Sequence, residues 1–135
     1  MNPSALQASI NLEVVKQQQA VTFHADEDQV IQILVNLILN ALQATPAGGT
    51  VRLRVTAITP SAAAIEVCDT GSGVSEAVLA RMADPFFTTK PKGSGLGLSI
   101  ARQLAELQGG RLTFSSTIGE GTIVRLTLPT QGDTL

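Results

Sequence analysis

The stretch from Val30 to Ala41 constrains the fold most. Val30, Ile33, Leu34, Leu37, Ile38 and Ala41 recur three and four residues apart, so one broad side of a helix must be buried. Asp26 precedes this run as an N-cap, and Gln29 stands where a capping box needs it. Thr45-Pro46-Ala47-Gly48-Gly49 stops the helix. The apolar period then changes to two. Val51, Leu53 and Val55 alternate with Arg52 and Arg54, and Ala64 to Asp69 follows as a second strand with Ile65, Val67 and Asp69 on one side.

The remaining chain fits the same two-layer plan. Residues 10–15 read as a strand and 20–24 as a short one. Ser75 caps a short helix reaching about Met82, and Ala83 to Ser94 reads as loop. Leu96 to Gln108 reads as a second long helix, with Ile100, Leu104 and Leu107 on its buried side, ended by Gly109-Gly110. Residues 111–116 and 122–129 form a hairpin around Gly119-Glu120-Gly121. Strands, helix, strands, helix and hairpin in that order predict helices on one face of a mainly antiparallel sheet.

With 135 residues, nearly half of them apolar, one domain with one core is expected, its core spanning about 10–129. The net charge of −2 and the lack of like-charge runs point away from a nucleic-acid surface. The apolar stretch from Ile33 to Leu42 is too short to span a bilayer, and the start lacks the regions of a signal peptide. The single cysteine, Cys68, cannot form an internal disulfide and reads as a buried, inert thiol. His24 is the only histidine and reads as structural; no serine–histidine–acid or zinc-ligand set can be assembled.

Four short motifs carry chemistry. Asn36 and Asn40 are four apart, so both amides lie on one helix face. They either ligate Mg²⁺ through amide oxygen or mark a solvent edge. Asp69-Thr70-Gly71-Ser72-Gly73 places a carboxylate at a strand end before glycines that let a ligand approach the backbone, or it is an ordinary Asp-Gly turn. Asp84-Pro85-Phe86-Phe87-Thr88-Thr89-Lys90 puts two phenylalanines in a loop. They hinge a lid from which Lys90 or Lys92 reaches phosphates, or they anchor the loop to the core. Gly93-Ser94-Gly95-Leu96-Gly97-Leu98-Ser99 runs into the second long helix, whose first N–H groups form an anion site. It is neither a P-loop nor a dinucleotide fingerprint.

In this order the motifs resemble the N, G1, F and G2 boxes of the catalytic, ATP-binding domain of sensor histidine kinases. Those kinases belong to the superfamily of gyrase, chaperone, histidine kinase and mismatch-repair ATPases. Gly119-Glu120-Gly121-Thr122 is similar to the hairpin signature beside the adenine pocket. The resemblance covers about residues 10–129 and implies the Bergerat ATP-binding fold, an α+β two-layer sandwich with a mixed, mainly antiparallel sheet and helices on one face.

It implies ATP and Mg²⁺ as cofactors. Asn40 is the implied metal ligand, with Asn36 beside the phosphates and Asp69 on the adenine amine, Thr122 nearby through water. Gly71 and Gly73 shape the adenine turn. Phe87, Thr88, Lys90 and Lys92 belong to a short ATP lid, and Gly93, Ser94, Gly95, Leu96, Gly97 and Leu98 hold the phosphates. Asn36 and Lys90 are the implied catalytic residues. Asn36 stands where hydrolysing relatives carry a glutamate, so slow hydrolysis is expected. Gln43 departs from the lysine or arginine common three residues after the second asparagine, which shifts phosphate neutralisation to Lys90 and Lys92.

The implied activity is transfer of the ATP γ-phosphate to a histidine of a separate dimerisation and phosphoacceptor domain of the same kinase, and onward to a response regulator. That helical domain and the sensor domain are not in this sequence, and His24 does not match the phosphoacceptor. The chain reads as a monomeric catalytic domain cut from a longer kinase, or a stand-alone version. It is expected in the cytoplasm, without membrane contact of its own, although the parent kinase can be membrane-anchored. Two other readings stay open: a serine kinase of the anti-sigma type, and a non-catalytic nucleotide-binding regulatory module.

Overall fold

The computed structural model describes residues 10–15, 22–84 and 97–130. Five strands form one sheet: β1 (Asn11–Val14), β2 (Thr50–Thr59), β3 (Ala62–Asp69), β4 (Arg111–Thr117) and β5 (Gly121–Pro129). Three helices accompany them: α1 (Glu27–Ala44), α2 (Glu76–Leu79) and α3 (Gly97–Leu107). The strand order is β1-β2-β3-β5-β4, with β1 parallel to β2 and every other pair antiparallel. The expected mixed, mainly antiparallel sheet is thus observed.

The N-cap of α1 forms as expected: Gln29 N donates to Asp26 Oδ1 at 3.0 Å. The capping box closes differently. Asp26 N donates to Gln108 Oε1 at 2.6 Å, and Gln108 Nε2 donates to the Gln29 side chain. A residue from the end of α3 therefore replaces the local reciprocal bond and ties the two helices. At the other end, Thr45 is extended (ψ 125°), as a residue before proline prefers, and its hydroxyl donates to Ala41 O at 2.7 Å.

Ile33, Leu37, Ala41 and Leu42 of α1 are buried against Val51, Ile65, Val67, Val124, Leu126 and Leu128 of the sheet. The second helix differs from its sequence reading. Its buried seam runs through Leu98, Ala101 and Ala105, with Leu104 partly buried, while Ile100 and Leu107 are exposed. Alanines carry a weak apolar signal in sequence, yet they let α1 and α3 approach closely, and that approach decides which side of α3 is covered.

Residues 22–24 form no strand. Phe23 makes a single bridge to Thr130, and His24 N donates to Pro129 O at 2.8 Å. The short helix α2 stops at Leu79, sooner than Met82, and continues as turns to Asp84. Cys68 is half-buried, on the sheet face away from the helices, and burial pushes its thiol pKa up. No helix among the described residues is long and apolar enough to cross a membrane.

Candidate nucleotide site

β3 ends in Asp69, which pairs with Val51 and shares its helix-covered side of the sheet. The side chain is 8% exposed. A buried carboxylate needs donors, and the following turn supplies them. Asp69 Oδ1 accepts from Gly71 N at 2.8 Å and from Thr122 N, at the start of β5, at 3.3 Å. Thr122 is therefore beside Asp69, tied to it through its backbone N–H.

Two glycines make this closure possible. A Cβ on Gly71 would sit 2.4 Å from Ala44 O, so the turn after β3 packs onto the last residue of α1. A Cβ on Gly121 would sit 1.9 Å from Asp69 O, and its φ of 131° is open to few other residues. Gly73, in the same turn as Gly71, packs against the end of β4, where a Cβ would sit 2.3 Å from Thr117 O.

Asn36, Asn40 and Ala44 are successive i, i+4 neighbours on α1, about 6 Å apart along the axis. The contact of Ala44 with Gly71 therefore brings the asparagine face of α1 up to the Asp69 turn. A cavity of about 450 Å³ opens there between the helix end (Gln43 to Pro46) and the turn (Thr70 to Ser72). A second, of about 280 Å³, runs past Asp69, Ser116 and Thr122 at the strand ends and onto the opposite sheet face at Cys68, Ser115 and Ile123.

Sequence reasoning missed Ser116. Its hydroxyl donates to Gly121 O at 3.0 Å and accepts from Val74 N at 2.9 Å, with Thr122 Oγ1 also 2.9 Å away. It joins the hairpin to the turn that carries Gly71 and Gly73. Its only trace in the sequence is an inward-facing position in an alternating strand. Thr70 was likewise unmarked: its hydroxyl accepts from Thr50 N at 2.8 Å and continues the β2–β3 pairing into the turn.

The structure thus groups Asp69, Gly71 and Thr122, with Gly73 against the hairpin, and packs their turn on the C-terminal end of the helix that carries Asn36 and Asn40. Gly97 and Leu98 open α3, which packs on α1; Leu98 turns its side chain into the core, leaving its backbone for any anion. Phe87, Thr88, Lys90, Lys92, Gly93, Ser94, Gly95 and Leu96 lie outside the described residues.

Two observations test the fit to Mg²⁺ and a triphosphate. Asn36 Nδ2 is buried without a hydrogen-bond partner, a costly state for an amide unless a ligand completes it. No group of three His, Cys, Asp or Glu side chains among the described residues could hold a metal alone. The site offers amide oxygens, which suit a magnesium ion that keeps its waters and takes its remaining ligands from phosphate. The residues fit.

Comparison with known proteins agrees with this geometry. The profile of the family described as "Histidine kinase-, DNA gyrase B-, and HSP90-like ATPase" matches residues 25–132. Sporulation kinase C of Bacillus subtilis (strain 168) is 34% identical over 134 residues, which cover 98% of this chain and 31% of that protein. The chain spans about a third of that relative and 18% of sporulation kinase E from the same organism. Among solved structures, full-length ShkA in complex with AMPPNP superposes with a TM-score of 0.87 at 31% identity, covering 98% of this chain and 28% of that one. The mycobacterial sensor histidine kinase MprB gives 0.81 at 26% identity, covering 96% and 90%.

Proposed function

The chain belongs to the histidine kinase-, DNA gyrase B- and HSP90-like ATPase family, and from that premise we propose that it is the catalytic domain of a sensor histidine kinase, binding Mg·ATP and passing the γ-phosphate to a histidine on another domain. The observation that supports this reading is the buried Asp69, held by Gly71 N and Thr122 N in a turn packed on the end of the helix that carries Asn36 and Asn40.

Each residue then has a distinct task. Asp69, fixed by Gly71 N and Thr122 N, accepts from the exocyclic amine of adenine. Asn40 offers its amide oxygen to Mg²⁺, and the buried amide of Asn36 donates toward phosphate oxygens. The metal, when bound, neutralises phosphate charge. Gly97 and Leu98, which open α3, together with Gly93, Ser94, Gly95 and Leu96, cradle the phosphates, and Lys90 and Lys92 supply positive charge from a lid that closes over the nucleotide.

Phosphoryl transfer depends mainly on positioning and charge neutralisation, so the acceptor histidine can come from a separate domain. Asn36 does not titrate in a useful range, so water is not activated and hydrolysis is slow. The acceptor belongs to a dimerisation domain of the same kinase, followed by a response regulator. The domain works in the cytoplasm, as a monomer when alone.

Calorimetric titration with a non-hydrolysable ATP analogue tests the reading. Binding is expected, and Mg²⁺ should strengthen it. Asp69→Asn should weaken it about a hundredfold while the domain stays folded, because the adenine contact and its charge are lost. Absence of binding with and without Mg²⁺ would overturn the proposal, and rapid steady-state ATP turnover would count against the kinase assignment.

A further inference from the structure

The sheet face away from the helices carries an ordered set of charges that nucleotide binding does not use. In one cross-strand row, Arg54 of β2, Glu66 of β3, Arg125 of β5 and Thr113 of β4 stand side by side. The row beside it holds Glu13, Arg52, Cys68, Ile123 and Ser115, and the next holds Thr56, Ala64, Thr127 and Arg111. Glu66 is 1% exposed. Its Oε1 accepts from Arg54 Nε at 2.5 Å, and its Oε2 accepts from Arg125 Nη2 at 2.5 Å and Nε at 2.8 Å.

A structural pairing of one carboxylate is balanced by one guanidinium. Here two share it, and the surplus cation is not neutralised within the row. Both arginine side chains are nearly half exposed. Among the described residues, the terminal nitrogens of Arg54 and the hydroxyls of Thr113 and Ser115 make no hydrogen bond. They line one cleft of about 280 Å³ with Arg125, Glu66 and Ile123. Glu66 therefore acts as a holder: it fixes two guanidiniums at a set spacing and leaves their outer donors facing the cleft.

The wider charge pattern points the same way. These three rows hold four of the chain's nine basic residues and two of its eleven acidic ones, leaving five basic and nine acidic elsewhere. A basic face on an acidic domain selects anions by orientation as well as by contact. Four arginines, three of them engaged by two glutamates, are too few for a phosphate backbone or a lipid surface, which need extended basic tracts. A single carboxylate matches the surplus charge and the bidentate geometry of arginine.

We propose that this cleft is a docking site for an acidic segment of a partner protein, with one Asp or Glu side chain bonded by the outer donors of Arg125 and by Thr113 beside it, and Arg54 adding positive charge from across Glu66. Ser115 and Ile123 also line the cavity that runs past Asp69, but Arg54, Glu66, Arg125 and Thr113 do not, so the charged seat does not depend on the nucleotide reading.

The test is an NMR titration of the full ¹⁵N-labelled chain with a hexaglutamate peptide. Shifts are expected at Arg54, Thr113, Ser115, Ile123 and Arg125, including the arginine Nε–H signals, and should diminish with added salt. Thr113→Ala, an exposed strand position that lines this cleft and not the cavity past Asp69, should weaken the peptide about fivefold without altering the ATP-analogue titration. Arg54→Gln, Glu66→Gln and Arg125→Gln together remove the charges without stranding a buried one and should abolish binding. The proposal fails if those residues do not shift or if the Thr113 variant binds the peptide unchanged. It also fails if hexalysine, inorganic phosphate, duplex DNA or phosphatidylglycerol vesicles bind there as well as hexaglutamate does.

Discussion

β3 presents Ile65, Val67 and Asp69 to the helices and Glu66 and Cys68 to the opposite side, so two buried carboxylates three residues apart meet different solutions to one problem. Asp69 is satisfied by the backbone: two N–H groups from a glycine turn and a hairpin, positions fixed by chain geometry. Glu66 is satisfied by side chains: two guanidiniums on long stems that remain half in solvent. Burial alone raises the pKa of Glu66, and the hydrogen bonds and charges of Arg54 and Arg125 outweigh it, holding the carboxyl below its ordinary range. The covered face is thus rigid, with its donors built into the main chain. The open face is held by charge and responds to pH and salt.

Substitutions can break that contrast, the strongest on the covered face. Leu37 is fully buried between α1 and the sheet, so Leu37→Ala should cost about 2–5 kcal/mol by thermal or denaturant unfolding, with little dependence on pH. An equal loss that varied strongly between pH 7 and pH 4 would show that the covered face is not held by packing alone.

Glu66→Gln comes next. Because the folded pKa is depressed, its contribution is complete above the unfolded glutamate value and disappears as pH falls through the folded value. The variant should be about 1–2 kcal/mol less stable at pH 7 and should converge on the wild type under acid. A constant gap across that range would remove the charge from the explanation.

Gln108→Ala should cost about 1 kcal/mol, since it removes both the donor to Gln29 and the acceptor for Asp26 N. The conservative Gln108→Glu should restore the acceptor half only. The smallest effect belongs to Arg52, whose pairing with Glu13 joins two side chains about half exposed. Arg52→Ala should change stability by less than about 0.5 kcal/mol, and less still at high salt. A loss comparable to that of Glu66→Gln would mean that exposure does not separate the two ion pairs.

Much of the covered face was legible in the residue pattern. The 3.6-residue period from Val30 to Ala41 marked the buried side of α1, and the alternations around Val51 and Val67 marked the strands. The motifs around Asn40, Asp69 and Gly71 were visible because glycine and buried polar residues have few other reasons to occur together. α3 was read one stripe off: its large apolar residues suggested a seam through Ile100 and Leu107, whereas Ala101 and Ala105 make it. Alanine is nearly silent in a hydrophobic pattern, and only the approach of α1 gives it meaning. Ser116 and Gln108 were silent too, because their partners lie across the fold: Val74 is 42 residues from Ser116, and Asp26 is 82 from Gln108.

The sequence by itself determined the two long helices, the four longer strands, the order of the motifs and the family, since each depends on neighbours within a turn or on short fixed spacings. Only the tertiary structure decided which carboxylate the backbone holds and which the arginines hold. Arg54, Glu66 and Arg125 are ordinary polar positions of three alternating strands until strand order places β3 between β2 and β5. Register, which no local pattern encodes for a mainly polar face, then sets all three in one row.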